Sequence, residues 1–129
     1  MTHQASDIRF SDLEGYADIA QILNGRPLYQ FSYVHSFFFA ERVDILGDTW
    51  RDIYLVLAEL EPPRHKIGVR FHRVGEIAYS GFGQIMGLYI QSIEERGREK
   101  LRYEVGDYED GRIHLFCHSV TLYIPTNLG

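Results

Sequence analysis

Lysine is scarce in this chain, with two residues against eleven arginines, and cysteine is limited to Cys117. A single cysteine excludes an internal disulfide and suits a reducing compartment. No apolar run approaches the roughly 18 residues of a membrane-spanning helix. The opening stretch, MTHQASDIRF, lacks the cationic end and apolar core of a signal peptide, so a cytoplasmic location is expected. Repeats, low-complexity tracts and linkers are also missing. The net charge of −5 disfavours a nucleic-acid binder that relies on many phosphate contacts. Metal and cofactor motifs are wanting too, and none of either is expected. What is present is a globular composition: 45% hydrophobic and 14% aromatic residues among 129. That is enough apolar surface for one domain spanning residues 1–129.

The acids are unevenly spread. Residues 1–64 hold ten acids and five arginines, whereas residues 65–129 hold eight of each sign. The first patterned segment predicts a helix at about residues 12–24. Ser11-Asp12-Leu13-Glu14 has the form of a capping box. Leu13, Tyr16, Ala17, Ala20 and Leu23 then recur at helical spacing. Asn24-Gly25 offers a left-handed stop, and Pro27 forbids continuation.

From residue 28 to about 124 the period is two. Tyr29, Phe31, Tyr33, His35, Phe37 and Phe39 share one parity, and the run is long enough to predict a bulge near residues 36–41. Burial beneath the helix is the expected fate of Phe38. Ile53–Leu60 is apolar on both faces, as a central strand would be. Ile67, Val69 and Phe71 alternate with Gly68, Arg70 and His72. Further strands are predicted at Ile85–Ile93, at Leu101–Val105 and at Arg112–Ile124. The last changes its apolar parity near Phe116–Val120. Short turns join strands antiparallel. The fold class expected is therefore α+β, an N-terminal helix packed on a twisted, partly closed antiparallel β-sheet of about six or seven strands.

Catalytic residues are not evident. Six histidines invite a metal reading, but His114 and His118 lie about 13 Å apart along an extended strand, too far to share one ion. Cys117, among Leu115, Phe116 and Val120, reads as a small buried hydrophobe rather than a nucleophile. Gly81-Phe82-Gly83 lacks the lysine and the following helix of a phosphate loop. Acids at turns are a different matter. Negative clusters steer association with a basic partner, and Trp and Tyr are enriched at binding hot spots. Glu104, Asp107, Tyr108, Glu109 and Asp110 are the first candidates for partner contact, followed by Asp48, Trp50 and Asp52.

The C-terminal half carries Gly87-Leu88-Tyr89-Ile90, then Leu101-Arg102-Tyr103-Glu104-Val105-Gly106-Asp107-Tyr108-Glu109, then Ile113-His114-Leu115-Phe116-Cys117. Over about residues 85–122 it resembles the immunity protein 50 family of bacterial polymorphic toxin systems. Tyr33-Val34-His35-Ser36 loosely suits an aromatic-histidine-acid segment of that family, with Ser36 in place of the acid. The resemblance implies a non-enzymatic protein that neutralises a cognate toxin by direct binding; the acidic balance makes a basic toxin the expected partner, and neither nucleic acid nor a membrane is expected. Two other readings stand beside it. One is a small-ligand or enzymatic barrel whose aromatic pocket surrounds His35 or His72. The other is a homo-oligomeric accessory domain that pairs exposed strand edges.

Overall fold

Nine strands and one α-helix make up the computed structural model, which describes residues 9–27, 30–62, 64–75, 77–80, 83–84, 88–93, 102–107 and 113–125. A 3-10 turn at Phe10–Asp12 precedes the helix α1, Tyr16–Leu23. The capping box does not form. The residue before the helix is Gly15, at φ +89°, and it provides no side-chain cap. The helix therefore starts four residues later than the pattern suggests. It must: Gly15 lies so close to the main chain of Leu122 that a Cβ would sit 1.9 Å from that carbonyl oxygen. At the other end Asn24, at φ +49°, is the left-handed stop that was expected. Arg26 secures this end by donating to the carbonyls of Ile22 and Leu23 and pairing with Glu59.

The strands are β1 (Tyr33–Val43), β2 (Thr49–Ala58), β3 (Lys66–Val74), β4 (Ile77–Tyr79), β5 (Gly83–Gln84), β6 (Leu88–Ser92), β7 (Tyr103–Asp107), β8 (Ile113–Cys117) and β9 (Ser119–Tyr123). They form two antiparallel sheets, ordered β5-β1-β2-β3-β9 and β4-β8-β7-β6. Helix-on-sheet α+β is the right class, but the count and closure differ from expectation. Among the described residues neither sheet closes, and there are nine strands rather than six or seven.

The reason lies at two corners. The ladder between β3 and β9, from Gly68↔Tyr123 to His72↔Ser119, continues past a bend as β4 against β8, from Ile77↔Leu115 to Tyr79↔Ile113. Between them the Gly75 amide donates to the Phe116 carbonyl and the His118 amide to the His72 carbonyl. Two chain segments thus pass from one sheet into the other. The parity change near Phe116–Val120 is this corner: Ile113, Leu115 and Cys117 are buried before it, Val120 and Leu122 after it. Of the predicted strand Ile85–Ile93 the second sheet holds β6, Leu88–Ser92, while residues 85–87 lie outside the described set; β5, just before that span, belongs to the first sheet.

The core fills the space between the sheets. Ile53, Leu55 and Leu57 of β2, Ile67, Val69 and Phe71 of β3, and Val105, Ile113 and Leu115 from the second sheet meet Ile19 and Leu23 of α1. Each such side chain contributes about 1.5–3 kcal/mol through burial. As the pattern implied, β2 is central, with β1 and β3 on its two sides. The helix, however, packs along β9 and β3 rather than over β1, and the Glu14 carbonyl accepts the Leu122 amide. Phe38 is consequently half-exposed, contrary to expectation. The β1 bulge falls at His35, between Val34↔Leu57 and Ser36↔Val56, one residue before the expected stretch. The β1–β2 hairpin tip exposes Val43, Ile45 and Leu46, and the Asp44 carboxylate fixes it by accepting the Leu46 and Asp48 amides. No helix among the described residues is long and apolar enough to cross a membrane.

Candidate functional site

Strand alternation sends Ile53, Leu55 and Leu57 inward, so Trp50, Asp52 and Tyr54 stand on the outer face of the first sheet. Register then decides their neighbours. Phe38 of β1, Tyr54 of β2 and Arg70 of β3 lie directly opposite one another, and so do Arg42 and Trp50. Phe38 stacks on Tyr54 at a centroid separation of 4.9 Å, and the Arg70 guanidinium lies 5.1 Å from the same ring's centroid. Tyr123 meets Tyr54 edge-on, and its own ring covers Gly68, where a Cβ would lie 2.3 Å from it. Arg42 donates to the Tyr54 hydroxyl at 2.7 Å. Arg73 lies 4.1 Å from the Trp50 ring centroid, a close cation–π contact.

Asp52 sits beneath this array with 1% of its surface exposed. Its Oδ1 accepts from the Trp50 indole (3.0 Å) and the Arg73 amide (3.1 Å), and its Oδ2 from Arg70 Nε (3.2 Å) and Nη2 (2.6 Å). Arg42 Nε stands a further 3.7 Å from Oδ2. Burial on its own would raise the carboxyl's pKa. The hydrogen bonds from Arg70 and the Arg73 amide, with the charges of Arg70 and His72, outweigh it and hold the group below the ordinary value.

The Arg73 contact has a backbone origin. Between Arg51↔Val74 and Ile53↔Phe71 strand β3 carries one extra residue opposite Asp52. Arg73 takes φ +52°, and the Asp52 carboxylate accepts the amide that this bulge frees from the ladder. His72, beside it, bonds through Nε2 to the Thr121 hydroxyl at 2.8 Å. Burial foremost, then the Arg70 charge, lowers the pKa of His72 despite Asp52 and Glu14 nearby.

No protein-family model, curated protein or solved structure matches this chain.

The acids nominated from the sequence separate into distinct groups. Asp48 is exposed and Trp50 half-buried, both beside the arginine array. Asp52 and Asp107 were expected at exposed bends, and burial corrects both. Asp52 faces the interior of an arginine cluster, while Asp107, 7% exposed, accepts the Ile113 amide at 3.0 Å. Glu104 pairs with His114 at 2.6 Å on the outer face of the second sheet. Tyr108, Glu109 and Asp110 lie outside the described residues.

The aromatic pocket around His35 is not formed by the described residues. His35 is exposed at its bulge, and the cleft of about 250 Å³ near the sheet corner is lined instead by Phe39, Trp50, Ile53, Val74 and Ile77, among others. Among the described residues no three His, Cys, Asp or Glu side chains gather as metal ligands would. The residues that sequence reasoning missed are Arg42, Tyr54, Arg70 and Arg73. The usable signal was an acid, Asp52, at the start of a strand apolar on both faces, with arginines at matching parity in the segments before and after.

Cys117 is fully buried, and burial pushes its thiol up to about 12. With almost no thiolate and no access, it should resist a thiol-specific reagent such as DTNB in the folded protein and react promptly in denaturant. Rapid native labelling would show that β8 opens readily.

Proposed function

We propose that this chain is a non-enzymatic binding protein of the toxin-immunity kind, which docks on a partner protein through the outer face of the first sheet. The observation that carries the reading is the immobilised row of Trp50, Tyr54, Arg42, Arg70 and Arg73 around buried Asp52. These are the residue types that dominate binding energy at interfaces. Long arginine side chains ordinarily lose about 0.5–1.5 kcal/mol each on being fixed by a partner. Here much of that ordering precedes the encounter, because a carboxylate, two rings and a hydroxyl hold them already.

The resemblance over residues 85–122 makes a cognate toxin the partner, and the cytoplasm, where a lone reduced thiol is stable, is the setting. The test is calorimetric titration of the chain with the product of the adjacent gene. A Kd below about 1 μM, some −8 kcal/mol, is expected, together with loss of that product's toxic activity. Trp50→Ala should weaken the complex at least about tenfold, as hot-spot truncation does. A toxin whose activity the chain leaves untouched would refute the reading.

A further inference from the structure

We infer that the arginine and aromatic row on the first sheet receives carboxylate side chains from an acidic segment of the partner protein. This rests on the binding reading above and names the chemistry of the surface that meets the row, whatever the partner's net charge. The first ground is local charge. Arg42, Arg70 and Arg73 surround one buried carboxylate, Asp52, so the face is positive on a chain whose net charge is −5. The exposed carboxylate at the rim, Asp48, reduces that excess without cancelling it.

The second ground is the donor inventory. A guanidinium carries five N–H groups. Arg70 commits Nε and Nη2 to Asp52, and Arg42 commits one Nη to Tyr54. Both oxygens of Asp52 are meanwhile saturated. With 45% of the Arg42 side chain and 32% of the Arg70 side chain exposed, donors are left for an incoming acceptor. Carboxylates fit a guanidinium fork with two parallel hydrogen bonds.

The third ground separates an acidic peptide from single-stranded nucleic acid. Base recognition without sequence preference needs bare aromatic faces to stack on. Here the strands on either side of β2 supply Phe38 and Arg70 to flank Tyr54, and Arg73 covers Trp50. Tyr54 is thus sandwiched and one face of Trp50 is taken, which leaves the half-exposed Phe38 and the second face of Trp50 as the stacking surface of the row. Against that limited stacking surface stand three arginines, and the free N–H donors of Arg42 and Arg70 suit carboxylates.

Trp50 is the chain's sole tryptophan, so its emission reports on this site alone. The intact chain is titrated with hexaglutamate, with hexalysine and with a single-stranded thymidine oligonucleotide. Hexaglutamate should change the emission saturably and release as salt is raised. Arg42→Gln and Arg73→Gln should each move the midpoint about fivefold to tenfold higher, the loss of one charge-assisted contact. A thermal melt confirms that each variant is folded; because the two sit on different strands, one remains informative if the other unfolds.

A tighter response to the oligonucleotide or to hexalysine overturns the inference, as does an unresponsive Trp50 at millimolar hexaglutamate. The two readings fail separately. If the adjacent gene's product binds and Arg42→Gln leaves its Kd unchanged, the carboxylate site falls while the binding protein stands. If hexaglutamate titrates Trp50 but no complex forms with that product, the reverse holds.

Discussion

Asp52→Ala should cost about 3 kcal/mol of unfolding free energy, measured by urea denaturation, because it removes the acceptor of four hydrogen bonds at once. The partly exposed arginines can regain water, which tempers the loss. The Arg73 amide and the Trp50 indole have less freedom to do so. Asp52→Asn should recover part of the stability, since one oxygen still accepts, although its amide N–H groups now face guanidinium donors. A loss under about 1 kcal/mol for the alanine variant would mean that the cluster is decoration on a bulge that holds itself.

The same cluster sets the acid response. His72 is kept neutral in the fold, with its pKa below the ordinary 6.5, so the unfolded chain protonates first as pH falls. Stability attributable to His72 is complete above that value and declines below it. Asp52 behaves alike at lower pH. Its folded pKa lies under 3.8, so its contribution is whole above that value and is lost as the folded carboxylate takes its proton. His72→Gln should flatten the decline in stability that begins as pH falls below 6.5 and leave the later acid transition of Asp52 in place.

Gly15→Ala should be as damaging, at about 3 kcal/mol or more, for two separable reasons. An L-residue at φ +89° costs about 1–2 kcal/mol by itself. The methyl would also lie 1.9 Å from the Leu122 oxygen, which cannot move without dragging β9. The controls are Gly25→Ala and Gly47→Ala, at φ +79° and +87° with open space around them. These should lose only the backbone part, about 1–2 kcal/mol. Hydrogen exchange at the Leu122 amide gives a direct reading, because that group donates to Glu14 where the helix meets the strand. Equal losses at all three glycines would show that the close approach carries no weight.

Gly15 also shows where local pattern misleads. Ser11 and Glu14 have the right spacing for a cap, but long-range contact with β9 requires a residue without a side chain at position 15, and the helix can begin only after it. The far end was legible because Asn24 acts locally. Strand β2 was legible because apolar residues on both faces need covers on both sides. The site was less so. Asp52 looked like a surface acid beside Trp50, and its burial comes from Arg70, eighteen residues away, and from a bulge that exists only once β3 pairs with β2. Phe38 misled in the opposite sense, since no local feature reveals that the helix lies on β9 instead of β1. The parity switch in the last strand was visible, although its meaning, a passage between sheets, depends on partners elsewhere in the chain.

Those shared corners have a mechanical consequence. Because the same two segments serve as strands in both sheets, neither layer can peel away as an independent plate. Pulling on the second sheet tensions the first through the His72–His118 and Gly75–Phe116 amide links. The arginine row sits beside that fold line, so a load transmitted across the crease reaches the face that meets a partner.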